Sequence, residues 1–253
     1  MSPASPPKTG ELYIEPVTRD EAHLYQAIRH ETFRPTINKI LYAREPSQET
    51  QVKIIQKTKE DMADGTMFMA CKERATGKMI AGARWRFVYA KADKEEIEKE
   101  RVEGKHQDES PGMPPRKYRE RTLEEVHAGL TIPSFYPESN VPAVKTLFGL
   151  FNQHKLELLG TRPYMVLDTL VTHPDHHRRG AGGMLVEWGC READKRGVEA
   201  YLEASVMGAP LYERFGFKKV RTVQVDLKQF GGYEVLDFIV SAKIFPSAWG
   251  ACG

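Results

Sequence analysis

Residues 165–197 read MVLDTLVTHPDHHRRGAGGMLVEWGCREADKRG, and residues 201–217 read YLEASVMGAPLYERFGF. The apolar run that ends at Thr172 predicts a buried strand, closed by Pro174. The bend HPDHHRRGAGG follows it. From Ala181 onward Leu185, Trp188, Gly189 and Ala193 return at helical spacing. A strand that turns through a Gly- and Arg-rich bend into a helix N-terminus is suited to anions. The first helical N–H groups have no partner in the helix, the dipole favours negative charge, and glycines let a phosphate come close to the backbone. Arg178 and Arg179 add positive charge and donors. The stretch is expected to hold a pyrophosphate.

His177-Arg178-Arg179-Gly180-Ala181-Gly182 resembles the Q/R-x-x-G-x-G/A acetyl-CoA loop of the GNAT family of N-acetyltransferases. Leu211-Tyr212-Glu213-Arg214-Phe215-Gly216-Phe217 resembles that family's downstream L-Y-x-x-x-G-F element. Two motifs in the right order and at the right separation carry more weight than either alone, and the well-matched part is about a third of the chain. There are two departures: His177 takes the first loop position, and Ser205 stands where many members have Asn, with Gly208 where Ala is common. The resemblance implies an α/β fold with a mixed, centrally splayed sheet and helices on both faces. It also implies acetyl-CoA as co-substrate, its pyrophosphate on the backbone of His177, Arg178, Arg179, Gly180, Ala181, Gly182 and Gly183. Its pantetheine arm would lie along Leu170, Val171 and Thr172, near Ser205.

Composition bounds the partners. The chain has 253 residues and a net charge of +2 with histidine neutral. That balance does not favour a nucleic-acid partner. Cys71, Cys190 and Cys252 are far apart and odd in number, which fits a reducing compartment better than a disulfide framework or zinc knuckle. MSPASPPKTG lacks the pattern of a secretory signal and reads as a disordered tail. No apolar run approaches a membrane span. The expectation is a cytoplasmic protein without a membrane partner.

Along the chain, Leu12–Val17 reads as a strand. Thr18-Arg19-Asp20-Glu21 is a capping box that opens a helix to about Phe33. A second helix fits Glu49–Met62, with Val52, Ile55 and Met62 among its apolar positions. Met67–Lys72 and Ile80–Tyr89 read as a hairpin turning at Ala75-Thr76-Gly77-Lys78. The charged stretch from Lys91 to Glu125 reads as a solvated helix and Pro-rich loop, or more sharply as a lid over the acceptor site. A helix over about Val141–Leu159, strands at Tyr164 and Ala200–Ala204, a helix at Pro210–Phe215 and strands at Phe217–Leu227 and Val235–Ile244 complete the order. The pattern itself supports an α/β class. It is taken as one domain over 11–245, with an insertion at about 91–125 and tails at 1–10 and 246–253.

Acyl transfer from a thioester to an amine needs a held coenzyme, a free amine, a stabilised oxyanion and a proton for the departing thiolate. The bland reading of the Gly-rich turn is tight helix–strand packing. The absence of GxxxxGK[ST], and of the lysine that would reach a γ-phosphate, argues against a nucleotide P-loop. By resemblance Tyr212 is the acid for the thiolate, against a packed tyrosine. Asp168, two residues before Leu170 and read on its face, and Glu203 in YLEAS compete as base through a water. Each is equally well read as a carboxylate bonded to backbone or arginine. Trp85, between Arg84 and Arg86, walls an acceptor pocket or fills the core. His173, Asp175, His176 and His177 are successive turn residues, which rarely converge on one ion, so no metal is expected. No cysteine lies in either motif, so direct attack in a ternary complex is favoured over a covalent intermediate. The expected acceptor is a small amine, with peptide and protein amines still open. The alternatives are an acetyl-CoA-binding module without turnover and an unrelated α/β interaction scaffold.

Overall fold

The computed structural model describes residues 11–90, 118, 120–230 and 235–243. Both tails, Ile244 and most of the charged stretch, with the lid reading that rests on it, lie outside them. Strand β1 is Leu12–Pro16, followed by α1 (Ala22–Phe33), α2 (Asn38–Leu41) and α3 (Gln48–Ala63). Strands β2 (Met67–Glu73) and β3 (Met79–Val88) form the expected hairpin. Helices α4 (Leu123–Gly129) and α5 (Val141–Leu159) lead to β4 (Tyr164–Thr172). Then come α6 (Ala181–Arg196), β5 (Glu199–Ser205), α7 (Ala209–Glu213), β6 (Lys218–Asp226) and β7 (Val235–Lys243). The strands make one seven-stranded sheet in the order β1-β2-β3-β4-β5-β7-β6. Every pairing is antiparallel except the central β4–β5 pair, which is parallel. This is a mixed α/β fold with helices on both faces.

Local chemistry explains most boundaries. The Thr18–Glu21 box closes in both directions: the Glu21 N–H donates to Thr18 Oγ1 at 3.3 Å and the Thr18 N–H to Glu21 Oε2 at 3.1 Å. It forms a turn, and α1 begins one residue after it. Helix α5 starts at the Asn140 cap, with Pro142 in its first turn, and ends at Gly160. Its buried Ala143, Leu147, Phe151, Lys155 and Leu159 follow a spacing of four, the stripe of a helix laid on a sheet. Helix α3 departs from expectation. Val52 is 60% exposed, whereas Thr50 and Thr58 are buried. Both hydroxyls are bonded, Thr50 Oγ1 to Glu138 at 2.7 Å and Thr58 Oγ1 to the Ile54 carbonyl at 2.9 Å, so burying them costs little. Helix α4, which the sequence reading passed over, carries a complete capping box between Thr122 and Glu125. That box was visible as T-L-E-E.

The sheet is covered on both sides. Leu185 and Ala193 of α6 pack with Trp85, Met165, Leu167, Leu202 and Phe217 on one face. On the opposite face α5 covers Tyr164, Val166, Tyr201 and Phe238, and α1 covers Phe68, Ala70 and Val171. Trp85 is fully buried in the α6 layer, not in a pocket wall, which corrects the substrate-binding assignment. A Cβ at Gly189 would come within 2.1 Å of the Trp85 ring. Glycine there is what lets α6 settle directly on the indole.

Candidate active site

The site begins where β4 and β5 part. They pair from Tyr164↔Glu199 to Leu167↔Leu202. Beyond that point Glu203, Ala204 and Ser205 pair with β7, while Thr169 to Thr172 stay with β3. The facing edges of β4 and β5 are left without each other. A cavity of about 1590 Å³ fills the opening. It runs from the 176–183 loop, past Leu170, Thr172, Ser205 and Tyr212, to α1, α3 and α5.

A β-bulge sits at this fork. Trp85 pairs with Leu167 and Arg84 with Thr169, so Asp168 is an extra residue opposite no partner. The bulge shifts the alternation by one. Met165 and Leu167 pack on the α6 side, and so does Leu170, while Val171 joins the α1 side. Asp168 therefore faces away from Leu170, contrary to the period-two reading. Its neighbours are arginines. Arg86 Nε and Nη2 reach Asp168 Oδ2 and Oδ1 at 2.5 and 2.8 Å, and Arg84 Nε lies 3.6 Å away. Burial works to raise the Asp168 carboxyl, but Arg86 and then Arg84 outweigh it and hold it below the usual range. The same pair raises the Arg86 guanidinium despite burial. Asp168 is thus a charged structural partner and a poor proton acceptor.

Glu203 lines the cavity from the β5 side. Lys155 Nζ lies 2.9 Å from its Oε1, with both side chains 10% exposed or less. The Lys155 ammonium also sits over the Phe151 and Tyr201 rings at 5.9 and 5.7 Å. Burial, reinforced by Glu203, pushes the Tyr201 phenol far up. Lys155 was missed from the sequence, although a lone lysine in the Phe151–Leu159 apolar stripe was the signal.

The loop after β4 is built for the turn into α6. Pro174–His176 is a short 3₁₀ turn. Arg178 has φ 61° and Gly180 φ 88°, and Gly180 is the N-cap of α6. His177 Nε2 lies 3.0 Å from the Thr172 carbonyl, tying the loop back to its strand. Arg179 Nη1 is 2.5 Å from Glu73 and 2.8 Å from His176 Nδ1, which pins the loop to the β2 end. Arg178 is exposed on the cavity and meets no carboxylate among the described residues. The first α6 N–H with an acceptor is that of Met184, bonded to the Gly180 carbonyl at 3.1 Å. Among the described residues the N–H groups of Ala181, Gly182 and Gly183 meet no acceptor. The structure thus brings free backbone donors and Arg178 to one end of the cavity, and gives Arg179 a different role.

Tyr212 lines the cavity from α7, 9% exposed, with its ring edge-on to Phe217 at 6.0 Å. Burial pushes its phenol well up, so it stays protonated and able to donate. Ser205 Oγ accepts from the Gly208 N–H at 3.3 Å at the start of α7. Leu170 and Thr172 line the cavity, whereas the Val171 side chain is 1% exposed in the α1 layer. Cys71 and Cys190 are buried, which pushes both thiols up to about 11. Neither lines the cavity. Among the described residues no three of His, Cys, Asp and Glu converge as metal ligands. No described helix is long and apolar enough to cross a membrane.

Residues 151–219 match the acetyltransferase (GNAT) domain model. Arylalkylamine N-acetyltransferase 2 from Aedes aegypti is similar in fold, with 14% identity, 92% of this chain and 99% of that one covered, and a TM-score of 0.57. The Drosophila melanogaster polyamine N-acetyltransferase, which forms N-acetylagmatine, gives 11%, 92%, 99% and 0.55. The yncA protein of Salmonella typhimurium, solved with its cofactor acetyl-CoA, gives 10%, 96%, 100% and 0.54. The matched segment, residues 151–219, spans the fork, the loop and the Tyr212 helix; over it the chain is similar to the GNAT acetyltransferase domain, and the fold of the whole seven-stranded sheet is that of these acetyltransferase structures.

Proposed function

We propose that the chain transfers an acetyl group from acetyl-CoA to a small amine by direct attack in a ternary complex. The observation that carries this reading is the juxtaposition of the β4–β5 fork with the free N–H groups of Ala181, Gly182 and Gly183 and with Arg178, all on one cavity. The fit to the coenzyme rests on that donor set. A pyrophosphate would take the unpaired N–H groups at the α6 N-terminus, assisted by Arg178. The pantetheine amides would pair with the open β4 edge along Leu170 and Thr172, with Ser205 and Gly208 opposite. Acetyl-CoA supplies an activated acyl group as a thioester.

The protein's part is positioning and proton management. A backbone N–H at the Asp168–Thr169 bulge polarises the thioester carbonyl. The amine nitrogen bonds to the carbonyl carbon, the C–S bond breaks, and the thiolate takes its proton from the Tyr212 phenol. Glu203, which lines the cavity beside Lys155, receives the amine proton through a water. Asp168 keeps Arg86 and Arg84 in place. The nearly balanced charges of the acceptor end suit a small amine, as in the names of two fold neighbours.

Thiol release from acetyl-CoA against a panel of amines tests the reaction. Calorimetry with coenzyme A on the wild type and on Gly182→Asp tests the site. A Cβ at Gly182 already approaches Leu211 to 3.4 Å, and the carboxylate adds charge where a phosphate is to sit. Affinity is expected to fall at least a hundredfold in a variant with wild-type circular dichroism. Unchanged affinity refutes the site, and tight binding with no release for any amine reduces the protein to a binding module.

A further inference from the structure

We infer that the acceptor is an amine that also carries a carboxylate, as an amino acid does, and that Arg29 of α1 holds that carboxylate with the Tyr42 and Tyr136 phenols. The inference rests on the acetyl-transfer reading and concerns the acceptor end of the same cavity. Arg29, Lys57, Arg84, Arg86 and Lys155 are the cations lining that end. Four of them are spent. Lys57 Nζ and Arg84 Nη2 share Asp61 at 2.9 and 3.0 Å, Arg86 holds Asp168, and Lys155 holds Glu203.

Arg29 is the exception: no carboxylate among the described residues meets it. The nearby Glu138, close enough to act on the Tyr42 phenol, is engaged by Thr50 Oγ1 at 2.7 Å and the Ser47 N–H at 3.2 Å. Asp64 also borders the cavity but is exposed at the C-terminal end of α3. The Arg29 guanidinium is instead set by aromatic rings. It lies over Phe33 at 5.5 Å and against the Tyr42 phenol. Burial raises the Tyr42 and Tyr136 phenols, which therefore remain donors. An unmatched guanidinium beside two hydroxyl donors, facing a partly desolvated cavity, matches the geometry of a carboxylate.

Its position limits the ligand. Tyr25 and Arg29 are one helical turn apart, about 5–6 Å between Cβ atoms. The Tyr25 phenol lies against Thr169, which follows the bulged Asp168 at the fork. The anion site is therefore a short side-chain reach from the transfer point. An amino group only a few bonds from a carboxylate spans it, whereas a plain arylalkylamine or polyamine leaves Arg29 unmatched.

The test is thiol release with matched pairs: tyrosine and tyramine, phenylalanine and phenethylamine, arginine and agmatine. In at least one pair kcat/KM is expected to favour the amino acid by tenfold or more. Arg29→Gln should lower that ratio roughly 10- to 100-fold, mainly through KM for the amino acid. Arg29→Lys should recover part of it, and coenzyme A affinity, read by calorimetry, should not follow. If Arg29→Gln does not fold, Tyr42→Phe should lower the same ratio in the same direction. Decarboxylated amines turned over as well as or better than their amino acids in every pair would overturn this inference and leave the acetyl-transfer reading standing. So would a ratio unmoved by these variants. No release with either member of any pair, nor with any other amine, would overturn both.

Discussion

Asp168→Asn separates two roles that a carboxylate on this strand could have. In the structure Asp168 is 17% exposed and bonded by two nitrogens of Arg86, with Arg84 close behind. Removing one partner of a buried pair costs about 3–5 kcal/mol, because the other charge is stranded. Three features reduce that figure. The Arg86 side chain is 34% exposed, so water screens part of the loss. Arg84 retains Asp61 at 3.0 Å. Asparagine still offers one oxygen to Arg86. The expected cost is about 2 kcal/mol at neutral pH, or a fall of about 4–8 °C in Tm for a chain of this size. The pH dependence has a definite sign. The folded-state carboxyl lies below its ordinary value. Its contribution is therefore complete above the unfolded value of about 3.9 and is lost as pH falls through the folded one. Urea midpoints of variant and wild type should differ by a constant amount between pH 5 and 8 and converge in more acid solution. Turnover in the folded variant should stay within about tenfold of wild type, with the acidic limb of its pH profile unmoved. Wild-type stability together with a vanished acidic limb would refute the reasoning and make Asp168 the base.

Other substitutions read other parts of the site. Tyr212→Phe should lower kcat and kcat/KM together by about a hundredfold or less while preserving coenzyme affinity, since only the hydroxyl is lost. A wild-type rate with chemistry limiting would leave the acid role to water. Arg178→Ala should weaken coenzyme A binding by about tenfold, an effect that shrinks with added salt in titration calorimetry. Arg179→Ala should instead loosen the loop, because its guanidinium is bound to Glu73 and His176; faster amide exchange over 174–180 would report this. Gly189→Ala should destabilise by about 1–3 kcal/mol in urea, because its Cβ would overlap the Trp85 ring at 2.1 Å.

Much of this protein is written in local signals. The Asn140 cap, Pro142 and Gly160 delimit α5 because capping and chain stiffness act within a turn, so the predicted Val141–Leu159 span is the observed one. The 165–197 stretch specified strand, bend and helix for the same reason, and the Gly180 cap with the free α6 donors follows directly from that order. What only tertiary structure decided depends on register and on partners distant in the chain. A bulge leaves no mark in the residue pattern, so alternation put Asp168 on Leu170's face until the pairing with Arg84 and Trp85 turned it away. Trp85 and Arg86 are adjacent in sequence, yet one fills the core and the other binds Asp168. Partners 32 or more residues away chose the fates of Arg179, Lys155 and Val52: Glu73 took the first, Glu203 the second, and Thr50 and Thr58, bonded to Glu138 and Gln26, turned the third to solvent. Charge pairing and burial are properties of the packed chain, and they determine which ionisable groups of the cavity remain free to act.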